Sequence, residues 1–136
     1  MGDGTSQFFH QNENVLYISI HRFEKDFFPN YFTGSYFNIG QGAGEGFNIN
    51  FPFKKQGKIG DHEYIYACHS ILFPIIREFA PDLIMISAGF DSAKGDVLGQ
   101  IHLSPTGFAW MTHGLRKIQP KVVAVLEGGY SLIPLA

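Results

Sequence analysis

Leu83 to Ser92 reads LIMISAGFDS, and Val122 to Tyr130 reads VVAVLEGGY. In each, a short and nearly continuous apolar run ends at glycine, with a residue capable of chemistry close behind. Continuous apolar runs bounded by turn residues suit strands covered on both faces, as in parallel sheets. Two further runs have strand character: Val15 to Ile20 (VLYISI) is apolar apart from Ser19, and Phe47 to Phe51 (FNINF) alternates. Between FNINF and LIMIS, Ile65, Cys68, Leu72, Ile75, Ile76 and Phe79 recur at helical spacing. This predicts a helix from about Asp61 to Phe79, with Asp61 as its cap. Pro74 interrupts the pattern and removes the bond to the carbonyl near Ser70, which predicts a kink. A second helix is predicted from Ser104 to Ile118, capped by Ser104 and with Pro105 at its first position. Strands alternating with helices specify an α/β domain with a mainly parallel sheet.

The bulk composition narrows the function. Hydrophobic residues make up 45% of the 136 and charged residues 16%, so a substantial core can form and a disordered chain is excluded. The formal charge of −2 and the scattered basic residues leave no stripe for nucleic acid. A single cysteine, Cys68, rules out an internal disulfide and fits a reducing compartment. No apolar run approaches the ~20 residues of a membrane span, and no secretory leader pattern opens the chain.

In open parallel sheets, ligands bind beyond the carboxyl ends of the strands. The residues directly after the runs are His21-Arg22-Phe23, Ala88-Gly89-Phe90-Asp91-Ser92 and Glu127-Gly128-Gly129-Tyr130. One sheet edge is therefore expected to gather a histidine, a carboxylate and a phenol, an arrangement that many hydrolases would satisfy. Taken locally, Asp91 reads first as a carboxylate capping its turn, and Tyr130 can be read as a residue packed at a strand end. Phe28 reads as one core phenylalanine among 14. The long segment from His21 to Gly46 matches neither period, and loops of that length are usually functional. Within it, Gly40 to Gly46 (GQGAGEG) resembles a phosphate cradle. It leads into a strand instead of opening a helix, so a flexible surface loop is the better reading. His62 and His69 stand seven apart with no acidic partner in register, which favours solvated or packed histidines over metal ligands.

Five segments, in order and at matching spacing, sharpen this reading. SIHRFEKDFFP (Ser19 to Pro29), GFNINF (Gly46 to Phe51), GDHEY (Gly60 to Tyr64), AGFDSAKGD (Ala88 to Asp96) and LEGGY (Leu126 to Tyr130) resemble a class II, IIb-like, zinc-dependent histone deacetylase. The resemblance covers essentially the whole chain. It implies a three-layer α/β/α fold of the arginase/deacetylase kind and hydrolysis of the acetyl amide of acetyl-lysine. It implies that Asp91 is a zinc ligand and that Tyr130 donates to the substrate carbonyl. Phe28 is implied as a wall of the lysine channel, Leu98 as its rim, and Gly128 and Gly129 as close backbone approaches. Leu98 matches a position where a polyamine-selective relative carries glutamate, so peptidyl lysine is the implied substrate. Ser19 and the Ile20 carbonyl correspond to part of a monovalent-cation (K+) site. Phe9, Asn12, Val15 and Phe47 correspond to a second such site, in which Phe47 replaces a tyrosine seen in some relatives.

The same resemblance implies absences. The family's other two zinc ligands lie in an Asp-x-His motif immediately before the point matching Met1-Gly2-Asp3-Gly4-Thr5, and a general-base histidine pair lies further upstream. The chain is thus expected to be the C-terminal portion of a catalytic domain (residues 1–136), lacking its N-terminal half and final helices. It should leave apolar sheet open, be prone to aggregation, and be inactive alone. The alternative is a non-catalytic truncated paralogue or fragment serving as an interaction module. The implied partners are an acetylated lysine of a histone or other protein and co-repressor or cytoskeletal complexes. No nucleic acid or membrane is expected, and the implied location is nucleus, cytoplasm or both.

Overall fold

A computed structural model describes residues 2–25, 27–28, 33–54 and 58–131. They fall into two compact units, Met1–Gln56 and Gly57–Ala136.

In the first unit, helix α1 (Asp3–Phe8) precedes strand β1 (Tyr17–Arg22), a 3-10 turn (Gly42–Gly44) and strand β2 (Asn48–Phe53). The strands pair in parallel, with Tyr17 opposite Asn48 and Arg22 opposite Phe53. Both lie further along the chain than their apolar runs suggest. The ladder decides their limits: Tyr17 N–H donates to the Phe47 carbonyl at 2.9 Å, and Phe23 N–H to the Phe53 carbonyl at 2.8 Å. His21 therefore lies within β1, not in the turn after it. The short α1 has no side-chain cap and gives no periodic signal in the sequence.

The alternation of FNINF has the opposite polarity to an ordinary strand. Asn48 and Asn50 are the buried positions, because their amides satisfy carbonyls of the segment that crosses them. Asn48 Nδ2 donates to the Asn38 carbonyl at 2.6 Å, and Asn50 Nδ2 to the Ser35 carbonyl at 3.2 Å. His21, also buried, ties down the same segment through Nε2 and the Gly34 carbonyl at 2.9 Å. A carbonyl can only accept, so Nε2 carries the proton in the neutral ring. Nδ1 is then the acceptor, and the Ser19 hydroxyl at 2.9 Å donates to it. Burial holds the His21 pKa below its ordinary value of 6.5, against the opposing pull of the Gly34 carbonyl. The glycine-rich stretch is an anchored turn and not a flexible loop. Gly46 N–H donates to the Ile39 carbonyl at 2.7 Å and Gln41 N–H to the His10 carbonyl at 2.9 Å. Gly44 is buried against the backbone of residues 10–12.

The second unit runs α2 (Asp61–Ala67), a π turn (Cys68–Leu72), α3 (Phe73–Phe79), β3 (Ile84–Ala88), α4 (Pro105–Ile118) and β4 (Val122–Leu126). The stretch expected to be one kinked helix is thus α2 and α3 joined by a π turn. A wider turn just before Pro74 accommodates the missing N–H. Tyr64, Ala67, Cys68, Leu72, Phe73 and Ile76 form one wall of the core, and Ile59, Ala93, Ile101 and Leu103 close it from the connecting loops. Phe73 stacks on Trp110 of α4, with ring centroids 5.6 Å apart.

Asp61 does not cap its own helix. Gly60 takes that position, and its N–H is held by Glu63 Oε2 at 2.8 Å. The Asp61 carboxylate instead reaches α4, accepting from Ser104 N–H at 2.8 Å and from the Ser104 hydroxyl at 2.5 Å. Those bonds hold its carboxyl below the ordinary carboxylate range. Ser104 Oγ in turn accepts from Gly107 N–H at 3.1 Å, capping α4 as the sequence predicts.

Strands β3 and β4 pair in parallel, with Ile84 opposite Val122 and Ala88 opposite Leu126. Side chains alternate between faces, so Met85, Val123 and Val125 share one. Among the described residues that face is uncovered: Met85 is 69% exposed, Val123 46% and Val125 47%. Exposed contiguous apolar sheet favours self-association. The 136-residue chain on its own is therefore expected to sediment as a mixture of aggregates. Val123→Lys should raise its soluble fraction, and no change in sedimentation would contradict this account.

A second expectation concerns His21. Its folded pKa is depressed, so the unfolded state binds more protons between the two values. The stability it contributes is complete above about pH 6.5 and declines as pH falls toward the folded pKa. Hydrogen exchange of residues 33–38 should therefore quicken between about pH 7 and about pH 5 after correction for intrinsic rates. His21→Ala should remove that dependence while costing about 1–3 kcal/mol at neutral pH, because Gly34 and Ser19 lose their partner.

Candidate functional site

The parallel ladder of the second unit continues past both strands. Glu127 N–H donates to the Ala88 carbonyl at 3.1 Å, and Phe90 N–H to the Gly128 carbonyl at 2.7 Å. These bonds zip the AGFD turn to the EGGY turn and bring Asp91 and Tyr130 to the same place. A Cβ built on Gly128 would stand 3.3 Å from the Tyr130 hydroxyl and 3.6 Å from the Asp91 carboxyl carbon. The two functional groups therefore flank one point and cannot be further apart than those two lengths combined. A Cβ on Gly89 would meet Asp91 Oδ1 at 3.1 Å, so the carboxylate is wedged between two glycine backbones.

The turn around Asp91 is closed by backbone alone, with Ala93 N–H donating to the Phe90 carbonyl at 3.0 Å. The Asp91 carboxylate takes no part in that closure. Among the described residues it has no hydrogen-bond donor, so it is not a turn cap. Behind it lies the buried Tyr64, whose hydroxyl pKa is raised first by burial and then by the Asp91 charge. Tyr130 is 60% exposed and so is not a residue packed at a strand end.

The segment from Ala93 to Gln100 forms the shoulder of this site. Gly99 packs directly on the backbone of Asp91: a Cβ there would overlap the Asp91 carbonyl oxygen, so only glycine fits. Leu98 is 51% exposed beside it. Asp96 organises the shoulder, a role its place in the sequence does not single out. Its carboxylate is buried and accepts from Leu98 N–H at 2.8 Å, Gly99 N–H at 2.9 Å and Tyr130 N–H at 2.8 Å. Burial pushes its pKa up, but the N–H groups of Gly99, Tyr130, Leu98 and Ser131 outweigh that and hold it below the ordinary range. An aspartate two and three residues before turn N–H groups is a recognisable local pattern, whereas its bond to Tyr130 has no local signal.

The remaining sequence-predicted residues belong to the first unit. Ser19 is buried, and it gives its proton to His21, which leaves its oxygen lone pairs directed elsewhere. Ile20 is partly buried in β1. Asp3 Oδ1 in the same unit is buried without a hydrogen-bond partner among the described residues, and the Asp3 charge is felt at His21. The Phe9 and Asn12 carbonyls accept turn bonds from Asn12 and Val15, while the Phe47 carbonyl accepts from Tyr17. Phe28 is 64% exposed, which excludes an ordinary core role. It follows a turn braced by the Arg22–Glu24 ion pair at 2.7 Å and by Arg22 over the Phe27 ring at 4.1 Å. Pro29, quoted with this segment, lies outside the described residues. His62 and His69 are both exposed. Among the described residues, no three His, Cys, Asp or Glu side chains form a group able to hold a metal ion. Nor is any helix among them long and apolar enough to cross a membrane.

Comparison with known proteins identifies the family and the fold. The histone deacetylase domain family model matches residues 1–136. Histone deacetylase HDA1 of Candida albicans is 47% identical over 133 residues, covering 96% of this chain and 16% of its own length. The polyamine deacetylase HDAC10 of Danio rerio is 43% identical over 136 residues, covering 98% of this chain and 20% of its own. A solved structure of the histone deacetylase Clr3 matches with a TM-score of 0.94 at 42% identity, covering 99% of this chain and 23% of that one. The HDA15 domain structure matches with a TM-score of 0.93, also at 42% identity, covering 99% and 38%. The chain thus spans only a minor part of the relatives it matches, and over that part its fold is the α/β fold of deacetylase catalytic domains. With the family model matched from end to end and class II relatives aligned along nearly the whole chain, this protein belongs to the histone deacetylase family.

Proposed function

We propose that these residues form part of the active site of a zinc-dependent lysine deacetylase, which hydrolyses the acetyl amide of acetyl-lysine in a histone or other protein. The observation that carries this reading is the shared position of the Asp91 carboxylate and the Tyr130 hydroxyl around Gly128. A carboxylate held between glycine backbones and committed to no donor suits a metal ligand. Asp91 would therefore hold one corner of the zinc site. As a single carboxylate it needs partners, which are proposed to come from outside the described residues. Zinc, when bound, would supply Lewis acidity and lower the pKa of a bound water.

The chain's own residues would do the rest. The Tyr130 hydroxyl donates to the acyl oxygen as negative charge develops on it during attack. Gly128 and Gly129 present backbone without side chains, so an acyl group can come close. Leu98 supplies this site with an uncharged rim, and Phe28, in the first unit, is proposed on the family resemblance alone as an aromatic surface for the methylene stem of lysine. A leucine offers nothing to pair with a second ammonium group, which favours peptidyl lysine over a polyamine. Ser19 and the Ile20 carbonyl are proposed to hold a K+ ion. Phe9, Asn12, Val15 and Phe47 are weaker candidates for a second ion, since three of those carbonyls already accept backbone bonds. Co-repressor or cytoskeletal assemblies, and action in the nucleus, the cytoplasm or both, go with this reading.

In a full-length protein carrying this sequence, Asp91→Ala should abolish both zinc content and acetyl-lysine hydrolysis. Tyr130→Phe should keep the zinc and lower kcat by about 10²–10³-fold. The 136-residue chain alone should release no acetate from an acetyl-lysine peptide. Full zinc occupancy in the Asp91 variant, or an unchanged rate in the Tyr130 variant, would overturn this reading.

A further inference from the structure

We propose that Asp96 is a positioning residue for Tyr130: its buried carboxylate clamps the catalytic turn to the channel shoulder and sets where the phenol hydroxyl stands. This rests on the reading of Tyr130 as the donor to the acyl oxygen.

The need for a clamp comes from the backbone. The ladder that carries β4 forward ends at the Phe90 N–H to Gly128 carbonyl bond. Gly129 comes next, with φ of 141°, a conformation that glycine adopts readily and residues with a Cβ do not. Tyr130 is mostly exposed, so side-chain packing does not hold it either. Among the described residues its position is therefore left to bonds from the shoulder. Asp96 Oδ2 accepts from Tyr130 N–H at 2.8 Å, and Ser131 Oγ accepts from Val97 N–H at 3.3 Å. The first is charge-assisted, shorter and less exposed, and is the stronger of the two.

The carboxylate divides its work between its two oxygens. Oδ1 accepts from Leu98 and Gly99 within its own turn, as turn aspartates commonly do. Oδ2 accepts from the residue 34 positions further on, and the neighbouring Ser131 N–H adds to the hold on the carboxylate. Asparagine in this place can keep the first oxygen, but it presents an NH2 group to the Tyr130 N–H, donor against donor. Asp96→Asn thus separates the long-range bond from the local turn, whereas alanine would remove both. A hydroxyl displaced by a fraction of an ångström still permits substrate to bind, yet no longer meets the acyl oxygen where charge develops.

The test uses the zinc-loaded full-length protein carrying this sequence, as Asp96→Asn, Tyr130→Phe and the double variant, with an acetyl-lysine peptide as substrate. Asp96→Asn should lower kcat by about ten- to a hundred-fold with KM within about twofold, while zinc content and melting temperature stay near the parent. Hydrogen exchange of residues 127–131 should quicken by about tenfold in the same variant, which reads the lost bond without reference to activity. In the Tyr130→Phe background the added Asp96→Asn change should cost less than about threefold, since it acts through a hydroxyl no longer there. Multiplying losses in the double variant would overturn the proposal. So would unchanged exchange at 127–131, or a normal kcat in Asp96→Asn where Tyr130→Phe is slow. If Tyr130→Phe itself runs at the parental rate, the underlying reading of Tyr130 has failed, and this inference fails with it.

Discussion

The site depends on the parallel pairing of β3 with β4 and on its continuation past both strands. Once Ala88 lies opposite Leu126, the next backbone donors and acceptors face each other across the two turns. Glu127 bonds to Ala88, and Phe90 to Gly128. A slip of one residue in this register would turn every side chain to the opposite face. Asp91 and Tyr130 would then no longer share the space beside Gly128. Residues 39 positions apart in the chain thus become neighbours through backbone hydrogen bonding, before any side chain is considered.

Around that ladder, aspartates do the joining. Asp61, at the start of α2, bonds to Ser104 at the start of α4, so the two helix N-termini share one carboxylate. Asp96 joins the shoulder loop to the turn carrying Tyr130. Both are held below the ordinary carboxylate range, Asp61 by the hydroxyl and backbone N–H of Ser104 and Asp96 by backbone N–H groups alone. Asp91 is the contrast, with no donor among the described residues. Placing two carboxylates in structural bonds and leaving a third uncommitted is what separates scaffold from candidate ligand here. In the first unit, His21, Asn48 and Asn50 play the scaffold role, spending their side chains on the carbonyls of residues 34–38.

Much of this was legible from sequence because it rests on local rules. The runs LIMIS and VVAVL, the cap Ser104 with Pro105 behind it, and the placement of Asp91 and Tyr130 just past strand ends all derive from periodicity and turn chemistry. Other features escaped because their causes are non-local. The limits of β1 come from its ladder with β2, which carries His21 into the strand. The buried face of β2 is its asparagine face, since a distant segment supplies the carbonyls. Gly40 to Gly46 is an anchored turn because Gly44 packs on the backbone of residues 10–12.

What the amino-acid order alone determined is the inventory: which segments become strands and helices, and which chemical groups stand at their ends. Those depend on contacts between near neighbours, which composition and spacing encode directly. What only the tertiary structure decided is commitment, meaning which of several similar aspartates gives its oxygens to the scaffold and which meets no donor among the described residues. That depends on donors brought up from 34 or 43 residues away, and no local pattern can announce a partner so distant.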